Sequence, residues 1–144
     1  MTRPAASRWL LRLENFLKAE KLLADAVRES EIRRLSDLEQ AGLIQRFEIC
    51  WESGWKAMRE FLAAAGSPVD VPVPITVIRA AFALNLIADG DGWVDAMRQR
   101  NTTSHEYDEQ AANVAVAAIT TRYLALFEAL AEKLSNEAQS GDIA

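Results

Sequence analysis

Residues 43–62 read LIQRFEICWESGWKAMREFL, with apolar side chains at Leu43, Ile44, Phe47, Trp51, Trp55, Met58 and Leu62. Steps of three and four place these residues on one stripe of a helix, and no proline interrupts the series until Pro68. A stripe this rich in large side chains is stable only when covered, so the rest of the chain must supply matching apolar faces.

Upstream, residues 7–29 place Trp9, Leu13, Phe16, Leu23 and Val27 near helical spacing, with Arg12, Glu20 and Arg28 among the polar positions. The charged segment RESEIRRLSD joins this helix to the next and marks the least sharply defined boundary. Downstream, GSPVDVPVP stops the central helix: Gly66 suits a C-terminal cap, and Pro68, Pro72 and Pro74 remove backbone donors. A shorter helix is predicted over 75–86, a turn at ADGDG, and another short helix over 93–100. Thr103 and Glu106 have the spacing of a capping box, with Ser104 as a competing cap, which predicts the last helix to begin there. Val116, Ile119, Tyr123, Leu126, Leu130 and Leu134 carry its apolar face.

No segment shows strand periodicity. The expectation is an all-α protein, an antiparallel up-and-down four-helix bundle with one additional short helix. It is read as a single domain over 1–144, with a core over about 8–134 and a frayed tail over 135–144.

At 144 residues and 50% apolar content the chain can bury a sizeable core without a staple. One cysteine, Cys50, rules out an internal disulfide and multi-cysteine metal sites, and it sits among large apolar neighbours as a buried structural thiol would. No signal peptide is apparent and no apolar run approaches about 20 residues, so the expected location is cytoplasmic, with no membrane contact. The net charge of −5 is unevenly spread: residues 1–72 carry 11 basic and 11 acidic groups, whereas residues 73–144 carry 5 and 10. General binding to duplex nucleic acid is disfavoured, and any RNA contact must use a local cluster such as Arg98 and Arg100.

Phosphate-loop, dinucleotide and nucleophile-elbow motifs are absent. DGDG suggests a calcium loop, but counting from Asp89 puts Trp93 at the fifth position and Arg100 at the twelfth, where a carboxylate is needed. A single histidine with Asp108 and Glu109 falls short of a zinc site. No metal and no cofactor is expected. Trp51 and Trp55, one turn apart, offer either a stacking surface for a base or core packing, and core packing is the expectation. Glu48, Glu52 and Lys56 recur at four-residue spacing, either as a solvated ladder or as a polar seam toward a partner or substrate.

RQRNTTSHEYDE, residues 98–109, contains the chain's one histidine. An imidazole moves protons near neutral pH, and the Arg100 guanidinium can hold a phosphate with its planar fork. Asn101 adds a neutral donor and acceptor. These are parts for metal-free RNA cleavage by Arg100, Asn101 and His105, although a histidine at a helix start also serves as a cap or packing residue. One histidine fills one proton role, so a twofold homodimer would be required to bring a second copy to the site.

The run from Arg100 to His105 resembles the R-polar-x3-5-H signature of HEPN domains, small helical bundles that are often metal-independent ribonucleases. With Tyr107 it resembles the R-x4-H-x-Y form of HEPN toxins paired with a minimal nucleotidyltransferase antitoxin, which implies that Tyr107 is the nucleotidylated residue. A longer resemblance, over roughly 8–134, is to the nucleotidyltransferase substrate-binding protein family within that superfamily. It is carried by RWLLRLENFLKA, LIQRFEICWESGWKAMREFL, VIRAAF, Trp93 and RQRNTTSHEYDE. It implies a dimeric bundle accompanying a separately encoded minimal nucleotidyltransferase, the chain that would bind nucleotide and metal. Ser53 and Gly54 depart from the apolar or alanine-like residues expected there, and close helix approach would account for them. Two functions follow: a non-catalytic partner of a nucleotidyltransferase, or a ribonuclease toxin silenced by it.

Overall fold

A computed structural model describes residues 5–105 and 108–140, with the side chains of residues 5, 6 and 103–105 outside the described set. The chain is all-α, and no strand occurs among the described residues. The helices are α1 (Ala5–Ile32), α2 (Asp37–Ala64), α3 (Pro74–Ala83), α4 (Gly90–His105), α5 (Glu109–Ala118) and α6 (Leu124–Ser140), the last two joined by a π-helical turn, Ile119–Tyr123.

Residues 43–62 form most of α2, and α2 packs against every other α-helix. Pairings between side chains give the directions. Arg8 lies against Glu60, Arg46 reaches the Leu22 carbonyl and Arg33 pairs with Glu39, so α1 and α2 run antiparallel. Gln40 meets Asn113 while Phe47 stacks on Tyr123 and Phe127, so α5 and α6 run parallel to α2. Helix α4 opposes both, with Trp93 beside Phe127, Asp95 paired with Arg122 and Arg100 paired with Glu52.

Aromatic residues fill the interior. Trp9, Trp51, Trp93, Phe16, Phe47 and Phe127 are all fully buried, and Trp9 meets Phe61 edge-on at 5.1 Å between ring centroids. Trp51 and Trp55 are thus core residues and offer no platform for a base. Cys50 is also fully buried, and burial pushes its thiol well above the ordinary cysteine range. Gly54 explains the departure noted in the sequence. A methyl group there would lie 3.0 Å from the Trp93 ring and 3.1 Å from the Phe16 ring, so the missing side chain allows both rings to reach the backbone of α2.

Local chemistry sets the helix ends. Ser36 caps α2 in a full capping box with Glu39, which fixes the boundary inside the charged segment. At the other end Gly66, at φ 86°, lets the Ser67 amide return to the Leu62 carbonyl. Helix α3 stops at Ala83, before the expected Leu86, because Asn85 turns to φ 61° and the Leu86 amide bonds back to Ala81. Helix α4 begins at Gly90, earlier than Trp93, because Asp89 accepts from the Gly92 amide at 2.8 Å.

The expected capping box at Thr103 and Glu106 is corrected. Helix α4 continues through His105, and the next helix is capped by Asp108, whose carboxylate accepts from the Ala111 amide at 2.7 Å. Within α4 the Thr102 hydroxyl is satisfied by the Arg98 carbonyl, one way a helix tolerates such residues in its interior. The tail expected to fray from residue 135 is helical to Ser140, and Ala138 packs against the core.

The helical run Glu109–Ser140 spans 32 residues with a window of mean hydropathy 1.5, enough to cross a membrane by length and composition. It contains no long unbroken apolar run; its alanines raise the mean between polar residues. Ile119, Phe127, Leu130 and Leu134 from this run are buried in the common core, as in a core helix.

Candidate functional site

Arg100 lies near the C-terminal end of α4, where that helix crosses α2. Its guanidinium is 3.8 Å from a Glu52 carboxylate oxygen and sits over the Trp51 ring at 5.9 Å from the centroid. Glu52 also meets Lys56, one turn along α2, at 3.2 Å. All three charged side chains are partly exposed, so the seam is neither a fully solvated ladder nor a buried one. Glu52 and Trp51 both belong to α2: a carboxylate orients the cation and an indole face supports its plane. The structure therefore brings together Arg100, Glu52 and Lys56, residues singled out separately in the sequence.

Arg98 goes elsewhere. It is 73% exposed, pairs with Asp95 at 3.3 Å and lines a cleft against α3, so it does not form one cluster with Arg100. The same Asp95 is held from its other oxygen by Arg122 at 2.7 Å, and Arg122 also approaches Asp89 at the start of α4. This network ties α4 to the π-helical turn. Sequence spacing could not reveal it, because Arg122 is 27 residues from Asp95. The π turn, a feature found often at functional sites, had no sequence signal either.

Asn101 follows Arg100 on α4 and is exposed. His105 is the last residue of α4, and its side chain lies outside the described residues, as do Glu106 and Tyr107. Among the described residues no group of three or more histidine, cysteine, aspartate or glutamate side chains could hold a metal ion.

A chain with this helix order, carrying an arginine anchored at the α2–α4 crossing, matches the family model described as nucleotidyltransferase substrate binding protein like over residues 11–136. The chain belongs to that family. It is also similar to a protein of Haemophilus influenzae named "Probable ribonuclease HepT", at 34% identity over 82 residues, covering 55% of this chain and 56% of the relative. The chain thus spans about half the length of that relative. The match covers the stretches around Trp51, Trp55, Trp93 and Arg100 that carry the family resemblance, with Trp9 just ahead of it, and all four indoles are in the core.

Proposed function

We propose that the chain is the partner subunit of a separately encoded minimal nucleotidyltransferase, in a cytoplasmic two-component system of toxin–antitoxin type. In this reading it acts as one helical domain, forms a homodimer, and carries the acceptor for nucleotidyl transfer on Tyr107. The family match over residues 11–136 carries this reading. The transferase holds the nucleotide and metal. The Tyr107 phenol oxygen attacks the α-phosphorus of ATP, the bond to pyrophosphate breaks, and the phenolic proton passes to a base. Incubation with the transferase, ATP and magnesium followed by mass spectrometry tests this. The expected result is one adenylyl group on Tyr107 and none on Tyr107→Phe. Unmodified Tyr107 in the presence of a transferase active on another substrate would overturn it.

A second reading, a metal-independent endoribonuclease, is favoured by the relative named as a probable ribonuclease. Arg100, held by Glu52 and Trp51, provides a fixed cation for the charge that develops on a phosphorane. His105 takes the ribose 2′-hydroxyl proton, the 2′-oxygen attacks phosphorus, and the bond to the 5′-oxygen breaks. The second histidine of a homodimer returns a proton to that leaving oxygen, giving a 2′,3′-cyclic phosphate and a 5′-hydroxyl. Asn101 stabilises the transferring phosphate by hydrogen bonding. Arg100→Ala and His105→Ala should each lower cleavage by roughly 10²-fold or more while chelators leave it unchanged. Unmodified dimer that leaves single-stranded RNA and tRNA intact would remove this reading and leave the first in place.

A further inference from the structure

Where α1 stops, α2 starts and the π-helical turn passes, a cavity of about 480 Å³ lies within the usual size range for small-ligand sites. None of the residues that line it takes part in either reading of the Arg100 segment. We infer that this cavity binds a free amino acid as its zwitterion, with the carboxylate on Arg34 and the ammonium group on Glu31.

Glu31 stands in the last turn of α1, where the helix presents the negative end of its dipole and a carboxylate is disfavoured. Glu29, in the same turn, is compensated by Arg33 at 2.8 Å. Glu31 and Arg34 make no ion pair among the described residues, although both line this one cavity. A simple anion on Arg34 would be repelled by Glu31, and a simple amine on Glu31 would be repelled by Arg34. A ligand that carries both charges a few bonds apart satisfies each of them, and its ammonium group also answers the negative end of α1.

The neutral groups of the wall extend the pattern. Ser30 donates its hydroxyl proton to the Val27 carbonyl at 2.6 Å, and Thr120 and Thr121 donate theirs to the Ala117 carbonyl at 3.1 and 2.7 Å. Gln40 donates its amide nitrogen to Asn113 at 3.2 Å. All four residues line the cavity, which leaves it four neutral oxygen atoms with only acceptor capacity. Such a wall calls for N–H donors, of which an ammonium group has three and a side-chain amide two. Thr120 and Thr121 reach the wall from the π-helical turn, a conformation recurrent at binding sites. Leu35 and Val116, both packed against the core, give methylene groups an apolar surface to lie on. The charges of the lining, one positive and one negative, cancel, which favours an amino acid with an uncharged amide side chain, such as glutamine.

Titration of the full chain with L-glutamine, read by calorimetry and by NMR shifts of Ser30, Thr120 and Thr121, tests the inference. Three further ligands remove one feature each: N-acetyl-L-glutamine lacks the ammonium group, L-glutaminamide lacks the carboxylate, and L-glutamate replaces the side-chain amide by an anion. Saturable L-glutamine binding is expected, weakened roughly tenfold or more in each of these ligands and by either Arg34→Gln or Glu31→Gln. Both substituted residues are exposed, and a urea midpoint no lower than that of the parent chain verifies folding. N-acetyl-L-glutamine binding as tightly as L-glutamine would assign the cavity to a peptide C-terminus and overturn the inference, as would equal affinity for either of the other two ligands. Absence of saturable L-glutamine binding up to about 10 mM, or binding indifferent to both substitutions, would overturn it as well.

Discussion

Glycine occurs twice within α2, and its two positions do opposite things. At Gly54 the rings of Trp93 and Phe16 occupy the space a side chain would need, and both are buried too completely to retreat. At Gly42 nothing lies within 4 Å of a built methyl group. Alanine at residue 42 should therefore stabilise the protein by about 0.5–1 kcal/mol through helix propensity. Alanine at residue 54 gains the same propensity but incurs overpacking of about 1–3 kcal/mol, giving a net loss of up to about 2.5 kcal/mol. Urea unfolding of Gly42→Ala and Gly54→Ala should show midpoints moving in opposite directions. Equal shifts would mean that the rings can yield. Composition makes both glycines look like defects in a helix, and only the crossing partners distinguish them.

At the scale of helices, the sequence was most legible where the apolar period was long. Leu43 to Leu62 in α2 and Trp9 to Val27 in α1 repeat their stripe often enough for the faces to be read directly, and all their named apolar residues are buried. Ends were less legible because several capping residues competed within a few positions. Ser36 went unnoticed among charges, whereas Thr103 looked correct but was passed over in favour of Asp108. A carboxylate cap also complements the positive end of the helix, an advantage a hydroxyl lacks. Ser36→Ala and Asp108→Ala should each cost about 0.5–2 kcal/mol by urea unfolding, and Thr102→Ala distinctly less. The site was legible as residue types but not as geometry. Arg100 was identified from its neighbours in sequence, while its link to Glu52 depends on a helix crossing 48 residues away.

Over the whole molecule, two carboxylates respond to pH in opposite senses. Glu20 on α1 is raised from its ordinary value by burial first and then by Glu128 and Asp25, against a lowering influence from Arg28. The folded protein thus binds this proton more readily than the unfolded chain, and the Glu20 contribution to stability falls as pH rises through the interval above 4.5. Glu39 is held down to about 2 by hydrogen bonds from Arg33 and then from the Ser36 amide. Its contribution is present above 4.5 and disappears as pH falls toward about 2. Glu20→Gln should raise the urea midpoint at pH 7 and change it little at pH 4. A stabilisation that is equal at both pH values would show that the burial and charge of Glu20 do not act through its titration.

The π-helical turn at Ile119–Tyr123 has a consequence for the registration of the chain. Such a turn accommodates about one residue more than an α-helical path, equivalent to about 100° of phase. Glu109–Ala118 and Leu124–Ser140 therefore obey separate countings of the same helical wheel, the first bringing Asn113 to Gln40 and the second bringing Phe127 to Phe47 and Trp93. Arg122 lies within the offset and reaches Asp95 from there. Excising a single residue from this turn would put the two halves on one wheel and force a choice between their partners. The surplus residue is a vernier: it sets the phase of one half against the other, and Arg122, within it, is joined to Asp95 on the helix bearing Arg100.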